Sequence, residues 1–342
     1  MSIPATQHAI QIVGVDEIVV NDSKPVDEVG PTQLRLQVEA CGICHTDVLT
    51  VDGGYPGIVY PRVPGHEVVG RIDALGAGVQ QWRVGQRVGV GFLGGSCGHC
   101  EFCRRGDLIN CKNQVLSGIH YDGGYAEVMI AKDRGLVSIP DDLSAIEAAP
   151  LLCAGVTTFN ALRKSPALAG ELVAIHGLGG LGHLAVQFAR YMGFRTVVVA
   201  RGADKAELAM KLGAHAYIDS EAENAAKALR KMGGASVIVA TVSSTAAMAP
   251  LIAGLRPHGQ LSVVGAGAEP LKVGVGDLIF GERSIIGVNT GSPIEIEDTL
   301  GFSQLQNIRA MTEAFPLERV VEAYERMHGN KARFRVVLTM GA

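Results

Sequence analysis

Residues 171–189 read ELVAIHGLGGLGHLAVQFA, and this stretch decides the architecture of the central part of the chain. An apolar run, LVAI, leads into Gly177, Gly179 and Gly182 at the spacing G-x-G-x-x-G, with Gly180 and Leu181 inside the turn. A helix-compatible segment follows at 182–192. Alone, the glycine spacing is a weak signal. Between a strand and a helix it has the context of a dinucleotide-binding turn. The glycines allow the tight turn and let a pyrophosphate reach the helix N-terminus. A glycine-rich turn without a ligand is the competing reading.

Further strand candidates follow: RTVVVA, HAYID, SVIVAT, QLSVVG and RSIIGV. Helix-compatible segments separate several of them, at 204–212, 221–232 and 246–256. Strand-helix alternation at this spacing predicts a parallel sheet covered on both faces, over 154–289. The segment before it, up to about residue 153, has short β-type runs (LRLQVEA, VVGRIDA, QRVGVGF, YAEVMIA) separated by Gly and Pro. From 290 the tail offers a helical stretch, PLERVVEAYERM, and a last strand, FRVVLTM.

A dinucleotide turn of this kind expects an acidic residue about 20 positions on, to bind a ribose hydroxyl. The second strand instead ends in Ala200 and Arg201, with Lys205 close behind. A cation there suits a 2′-phosphate, so the reading favours NADP over NAD. The alternative for Arg201 is a solvated turn residue.

Bulk properties narrow the class. Of 342 residues, 47% are hydrophobic and 19% charged, the balance of a water-soluble globular chain of two or three domains. The formal net charge of -4 gives no electrostatic case for nucleic acid or an anionic membrane. MSIPATQHAI lacks the basic and apolar regions of a signal peptide, and no run of 18 apolar residues occurs, so cytoplasmic residence without a membrane span is expected. Seven cysteines with no secretory signal argue against a disulfide framework.

Four of those cysteines fall in CGHCEFCRRGDLINC: Cys97, Cys100, Cys103 and Cys111, spaced C-x2-C-x2-C-x7-C. Four thiolates with no open position describe a structural zinc site, in a lobe of about 92–112. An iron-sulfur cluster or a loop of free cysteines are the alternatives. A second set is dispersed. CGICHTD holds Cys41 and Cys44, PGHEVVG holds His66 and Glu67, and LLCAG holds Cys153. One cysteine of the first stretch with His66 and Cys153 makes three zinc ligands and an open fourth place, the pattern of a catalytic site. Taken singly, His66 reads as structural and Cys153 as a small buried hydrophobe.

Taken together, GICHTD, GHEVVG, the four-cysteine lobe, LLCAGVTTF and GLGGLG resemble the zinc-dependent alcohol dehydrogenases of the medium-chain dehydrogenase/reductase family, in order and over essentially the whole chain. The resemblance implies a GroES-like β-rich catalytic domain of residues 1–153 and 290–342, with a Rossmann domain of residues 154–289 inserted, and an active site in the cleft between them. It implies Cys44, not Cys41, as the ligand, with His66 and Cys153 completing a catalytic zinc site. Glu67 stands beside it as a transient ligand. Asp47 would orient His66, and Thr46 would hydrogen-bond the substrate alcohol. His45 and Arg335 match contacts to the cofactor pyrophosphate, and Thr157 matches a residue near the nicotinamide. Phe92 and Trp82 are aromatic candidates for the pocket, with a core role as the stronger reading for Trp82. Two zinc ions per chain, an alcohol or aldehyde substrate and a homo-oligomer, dimer or tetramer, are implied as well. One departure stands out: Leu49 occupies the place where many relatives carry a relay histidine. Within the family a polyol or sugar dehydrogenase is the rival, and Cys153 speaks against it. A non-catalytic zinc-containing scaffold is the rival from outside.

Overall fold

The computed structural model describes residues 5–341. The first four residues, part of the stretch read above for a signal peptide, lie outside the described residues. The chain divides into two compact units, one up to Val156 and from Thr290 onward, the other Thr157–Asn289.

The second unit is a six-stranded parallel sheet. Its spatial order is Ala216–Asp219, Arg195–Ala200, Leu172–His176, Ala235–Ala240, Leu255–Val263, Ser284–Gly287. In chain order this is 3-2-1-4-5-6, the doubly wound Rossmann arrangement with its reversal beside the first strand. Leu172–His176 is buried at every position, as a central parallel strand flanked on both faces must be. The expected helix at 246–256 is shorter than its pattern. Helix runs only over Thr245–Met248, a 3-10 turn with Pro250 follows, and Leu255 already opens the next strand. Proline has no N–H to continue the helical ladder.

The first unit is built on a seven-stranded sheet. Its path is Thr312–Pro316, Arg335–Thr339, Gln33–Ile43, Val68–Leu75, Arg87–Val90, Leu136–Ser138, with Val128–Lys132 also paired to Gln33–Ile43. The last strand of the chain therefore lies antiparallel to Gln33–Ile43, with Val336 opposite Ile43. This pairing brings the C-terminal segment to the start of the CHTD turn. Leu34, Leu36, Val68, Val88, Val336 and Leu338 are wholly buried beneath it. A hairpin, Thr6–Gly14 with Glu17–Pro25, and a helix, Pro293–Leu305, escape the sequence reading. That helix starts at a capping box, Ser292 with Glu295, but its apolar side chains do not keep to one face: Ile296 and Leu300 are buried while Ile294 and Leu305 are exposed. Among the described residues no single helix is long and apolar enough to cross a membrane. One bent pair, Ala145–Leu152 with Ala154–Arg163, passes by length and composition, and most of its apolar side chains are buried.

Candidate active site

The strand Gln33–Ile43 runs out at Cys44, which caps a 3-10 turn, His45–Asp47. Asp47 closes the turn onto its own start: Oδ2 accepts the Cys44 N–H at 2.8 Å. The same oxygen accepts the Tyr125 hydroxyl at 2.9 Å, while Oδ1 lies 2.9 Å from His66 Nδ1. One buried carboxylate thus ties Cys44, His66 and Tyr125 together. A protonated Nδ1 facing Asp47 leaves His66 Nε2 with a lone pair for a metal. That Nε2 is buried and has no hydrogen-bond partner.

Glycines make the room. Gly65, with φ +103, turns the chain into His66, and a Cβ there would lie 2.8 Å from Cys41 Sγ and 2.5 Å from Tyr125. A Cβ at Gly42 would run into the Glu67 carboxylate. Glycine at both places lets the buried Cys41, Tyr125 and Glu67 fit.

Ligand atoms of Cys44, His66, Glu67 and Cys153 all lie within 4.8 Å of one another. The two sulfurs of Cys44 and Cys153 are 3.8 Å apart. Two thiols, an imidazole and a carboxylate around one point are a zinc donor set. The second set, Cys97, Cys100, Cys103 and Cys111, meets the same distance limit and could hold a second ion. It sits on an excursion whose neck is the two-stranded pairing of Leu93–Gly95 with Val115–Leu116. Cys41 joins neither group: it is wholly buried, and burial pushes its thiol up.

The electrostatics suit a cation. The hydrogen bond from Cys153 holds the Cys44 thiol well below its usual range, and Cys153 is pushed up in turn, so the pair shares one proton readily. Burial pulls His66 down, but Asp47 and Cys44 more than reverse this and raise it. Burial lifts Glu67 to about 7 against the pull of Arg335. In the second group the backbone N–H groups of His99 and Cys100 bring Cys97 down to about 5.

Arg335, by resemblance a pyrophosphate contact, opens the last strand. It is buried, and its guanidinium forms an ion pair with Glu67 Oε1 and donates to the Ile43 carbonyl at 3.3 Å. Glu67 Oε2 and Arg335 Nε are left buried without partners. No local pattern in the sequence signals this pair. Nor does any signal single out Tyr125, whose hydroxyl reaches Asp47.

The other candidates fall as follows. Thr46 Oγ1 is 3.6 Å from Cys44 Sγ. His45 is exposed and stacks on His328. Phe92 packs edge-on against His66, ring centroids 5.1 Å apart. Trp82 packs on the sheet core and donates to the Asp133 carbonyl at 3.2 Å. Thr157 is buried on the helix Ala154–Arg163.

In the second unit Gly177 has φ +100, and a Cβ there would lie 2.7 Å from Thr241 and Val242. Gly182 would press a Cβ onto the Gly177 carbonyl, while Gly179 faces open space. The helix Gly182–Tyr191 begins without a side-chain cap; the His183 and Leu184 N–H groups donate to the Gly179 and Leu181 carbonyls at 3.0 and 3.2 Å. Arg201 is exposed at the end of the neighbouring strand, and Lys205 Nζ donates to its carbonyl at 2.9 Å.

Comparison with known proteins agrees in each part of the chain. Residues 30–141 match the alcohol dehydrogenase GroES-like domain, and residues 180–304 match the zinc-binding dehydrogenase family. An alcohol dehydrogenase of an Aspergillus species, notN, is 39% identical over 340 residues, covering 99% of this chain and 100% of the relative. The structure of a cinnamyl alcohol dehydrogenase from Sorghum bicolor superimposes with a TM-score of 0.88 at 32% identity, covering 97% of each chain. That of CAD from Helicobacter pylori, complexed with NADP(H), gives a TM-score of 0.83 at 27% identity over 97% of each chain. With zinc donor sets, a parallel sheet carrying a dinucleotide turn and relatives matched end to end, the chain belongs to the zinc-dependent alcohol dehydrogenases of the medium-chain dehydrogenase/reductase family.

Proposed function

We propose that this alcohol dehydrogenase interconverts a primary or secondary alcohol with its aldehyde or ketone, with NADP preferred over NAD, around a zinc ion held by Cys44, His66 and Cys153. The observation that carries it is the convergence of those ligand atoms, with Glu67, within 4.8 Å, beside a His66 Nε2 that has no protein partner. When bound, zinc supplies Lewis-acid polarisation of the substrate oxygen, and the nicotinamide takes or returns the hydride.

The residues around them have separate tasks. Asp47 keeps His66 in the tautomer that presents Nε2. Thr46 lies beside Cys44, where its hydroxyl would hydrogen-bond the substrate alcohol. Leu49 has no group that could carry a proton to solvent, so a relay would have to end at another group, such as water beside a bound cofactor. Glu67, with Arg335 as counter-ion, is the reserve ligand. By the family resemblance His45 and Arg335 are contacts to the cofactor pyrophosphate, Gly177–Gly182 is the dinucleotide turn, and Thr157 is a neighbour of the nicotinamide. A second zinc at Cys97, Cys100, Cys103 and Cys111 holds the lobe.

The NADP preference rests on charge. A carboxylate at the end of the second strand would repel a 2′-phosphate, and this chain has Ala200 and Arg201 there. The Arg201 guanidinium has no protein acceptor among the described residues and is free to pair with phosphate oxygens. Such bonds are worth roughly 1.5–3 kcal/mol, about tenfold to a hundredfold in affinity. The test is kcat/KM for both cofactors over an alcohol panel, in the wild type and in Arg201→Ala. Preference for NADP that falls selectively in the variant is expected. Preference for NAD, or equal loss of both, removes the phosphate role. The family resemblance also supports a homo-oligomer, dimer or tetramer, which sedimentation tests, and its reduced thiols fit cytoplasmic residence.

A further inference from the structure

The geometry points to His328 as a positioning residue for His45. The inference rests on the reading of His45 as a contact to the cofactor pyrophosphate. His45 leads the turn that begins at Cys44, and it is exposed. Its ring lies parallel to that of His328, with centroids 5.9 Å apart and planes 5° apart. His328 in turn lies parallel to Tyr324, at 5.7 Å and 8°. The three rings form a column. Its far end is anchored, because Tyr324 is half-buried and packs against the core of the sheet.

No ring nitrogen of His45 or His328 has a hydrogen-bond partner among the described residues. Stacking is therefore what sets the plane of the His45 imidazole. A stack occupies ring faces and leaves the in-plane N–H directions open. An exposed imidazole without such support turns freely about its χ2 and loses that orientation on binding. The helix Val320–His328 ends at His328, so the column ties a C-terminal element to the cofactor side of the turn. Nothing in the GICHTD motif reveals this, since His328 lies far along the chain and its neighbours show no motif.

The test is dinucleotide binding to the zinc-loaded enzyme, with Kd for NADPH and NADH read by nucleotide fluorescence. It uses His45→Ala, His328→Ala, His328→Phe and the double variant His45→Ala/His328→Ala. An aromatic pair of this kind predicts a threefold to tenfold rise in Kd for His328→Ala, to about that order. KM for the cofactor should rise with kcat nearly unchanged. His328→Phe, which keeps a ring but no nitrogen, should restore binding. In the His45→Ala background, removing His328 should add nothing. An unchanged Kd in His328→Ala, with His45→Ala weakened, overturns the positioning role and leaves the His45 reading intact. Equal loss from His328→Ala in both backgrounds overturns it in favour of a general structural role. An unchanged Kd in His45→Ala overturns the His45 reading and the inference with it.

Discussion

His176 ends the central strand of the parallel sheet with Nδ1 buried and unpartnered, and burial alone pulls its pKa down to about 4. In the unfolded chain an imidazole titrates near ~6.5. As pH falls, the unfolded chain therefore binds this proton first. The stability that the neutral ring contributes is fully present above ~6.5, drains away between ~6.5 and about 4, and totals on the order of 3 kcal/mol. His176→Phe should flatten that part of the profile. Urea midpoints at pH 7 and pH 4.5 in both proteins measure it as a difference, in which loss of metal cancels. Identical losses would show that the ring is not buried in its neutral form. Asp47 is the other residue whose replacement isolates one effect. Its two oxygens serve His66, Cys44 and Tyr125, and an amide offers only one oxygen. Asp47→Asn should weaken zinc at the Cys44 site by about tenfold to a hundredfold. Competition with a chromophoric chelator reads this directly, and unchanged zinc retention would end the orienting role.

At the scale of elements, the two cysteine groups make different demands. The four-cysteine lobe has little core of its own: Cys103 and Cys111 are buried, but the neck strands are only three and two residues long. On the proposed reading, closure on a second zinc supplies what packing does not. Cys97→Ser should lower stability by several kcal/mol, to about the order of a lost structural zinc, and leave one zinc per chain by metal analysis. Cys44 stands instead at the end of a strand whose neighbours are already buried. Cys44→Ser should abolish turnover while the thermal unfolding temperature moves by only a few degrees. A protein with one zinc per chain before any substitution would contradict both. Cys41→Ala, three residues earlier, should keep both ions and most turnover; loss of the Cys44-site zinc there would reverse the choice between the two cysteines.

At the scale of the whole molecule, the Glu67–Arg335 pair joins positions 268 residues apart. It forms because the last strand pairs with Gln33–Ile43 in a register that sets Val336 opposite Ile43. Removing the arginine strands a buried carboxylate. Arg335→Met should therefore cost about 3–5 kcal/mol, and adding Glu67→Gln should recover a large part of it. Denaturant unfolding of the single and double variants gives the coupling. Additive losses would mean that the two side chains do not depend on each other.

Much of this was written locally. The strand, glycine turn and helix around 177–182 announce a parallel sheet because the side-chain period and the φ +100 of Gly177 are properties of adjacent residues. The cysteine lobe is legible for the same reason, since its ligands lie within fifteen positions. The motifs also name Cys44, His66 and Cys153, but only as types of residue in recognisable surroundings. Tertiary structure decided their meeting, the carboxylate of Asp47 shared by three partners, the arginine on Glu67 and the imidazole column under His45. Apart from the Asp47 bond to the Cys44 N–H, which lies within one turn, these contacts join distant segments, and that of Arg335 with Glu67 depends on strand register. A register shift of one residue turns every side chain to the other face of the sheet, and no short stretch of sequence records which register the folded chain selects.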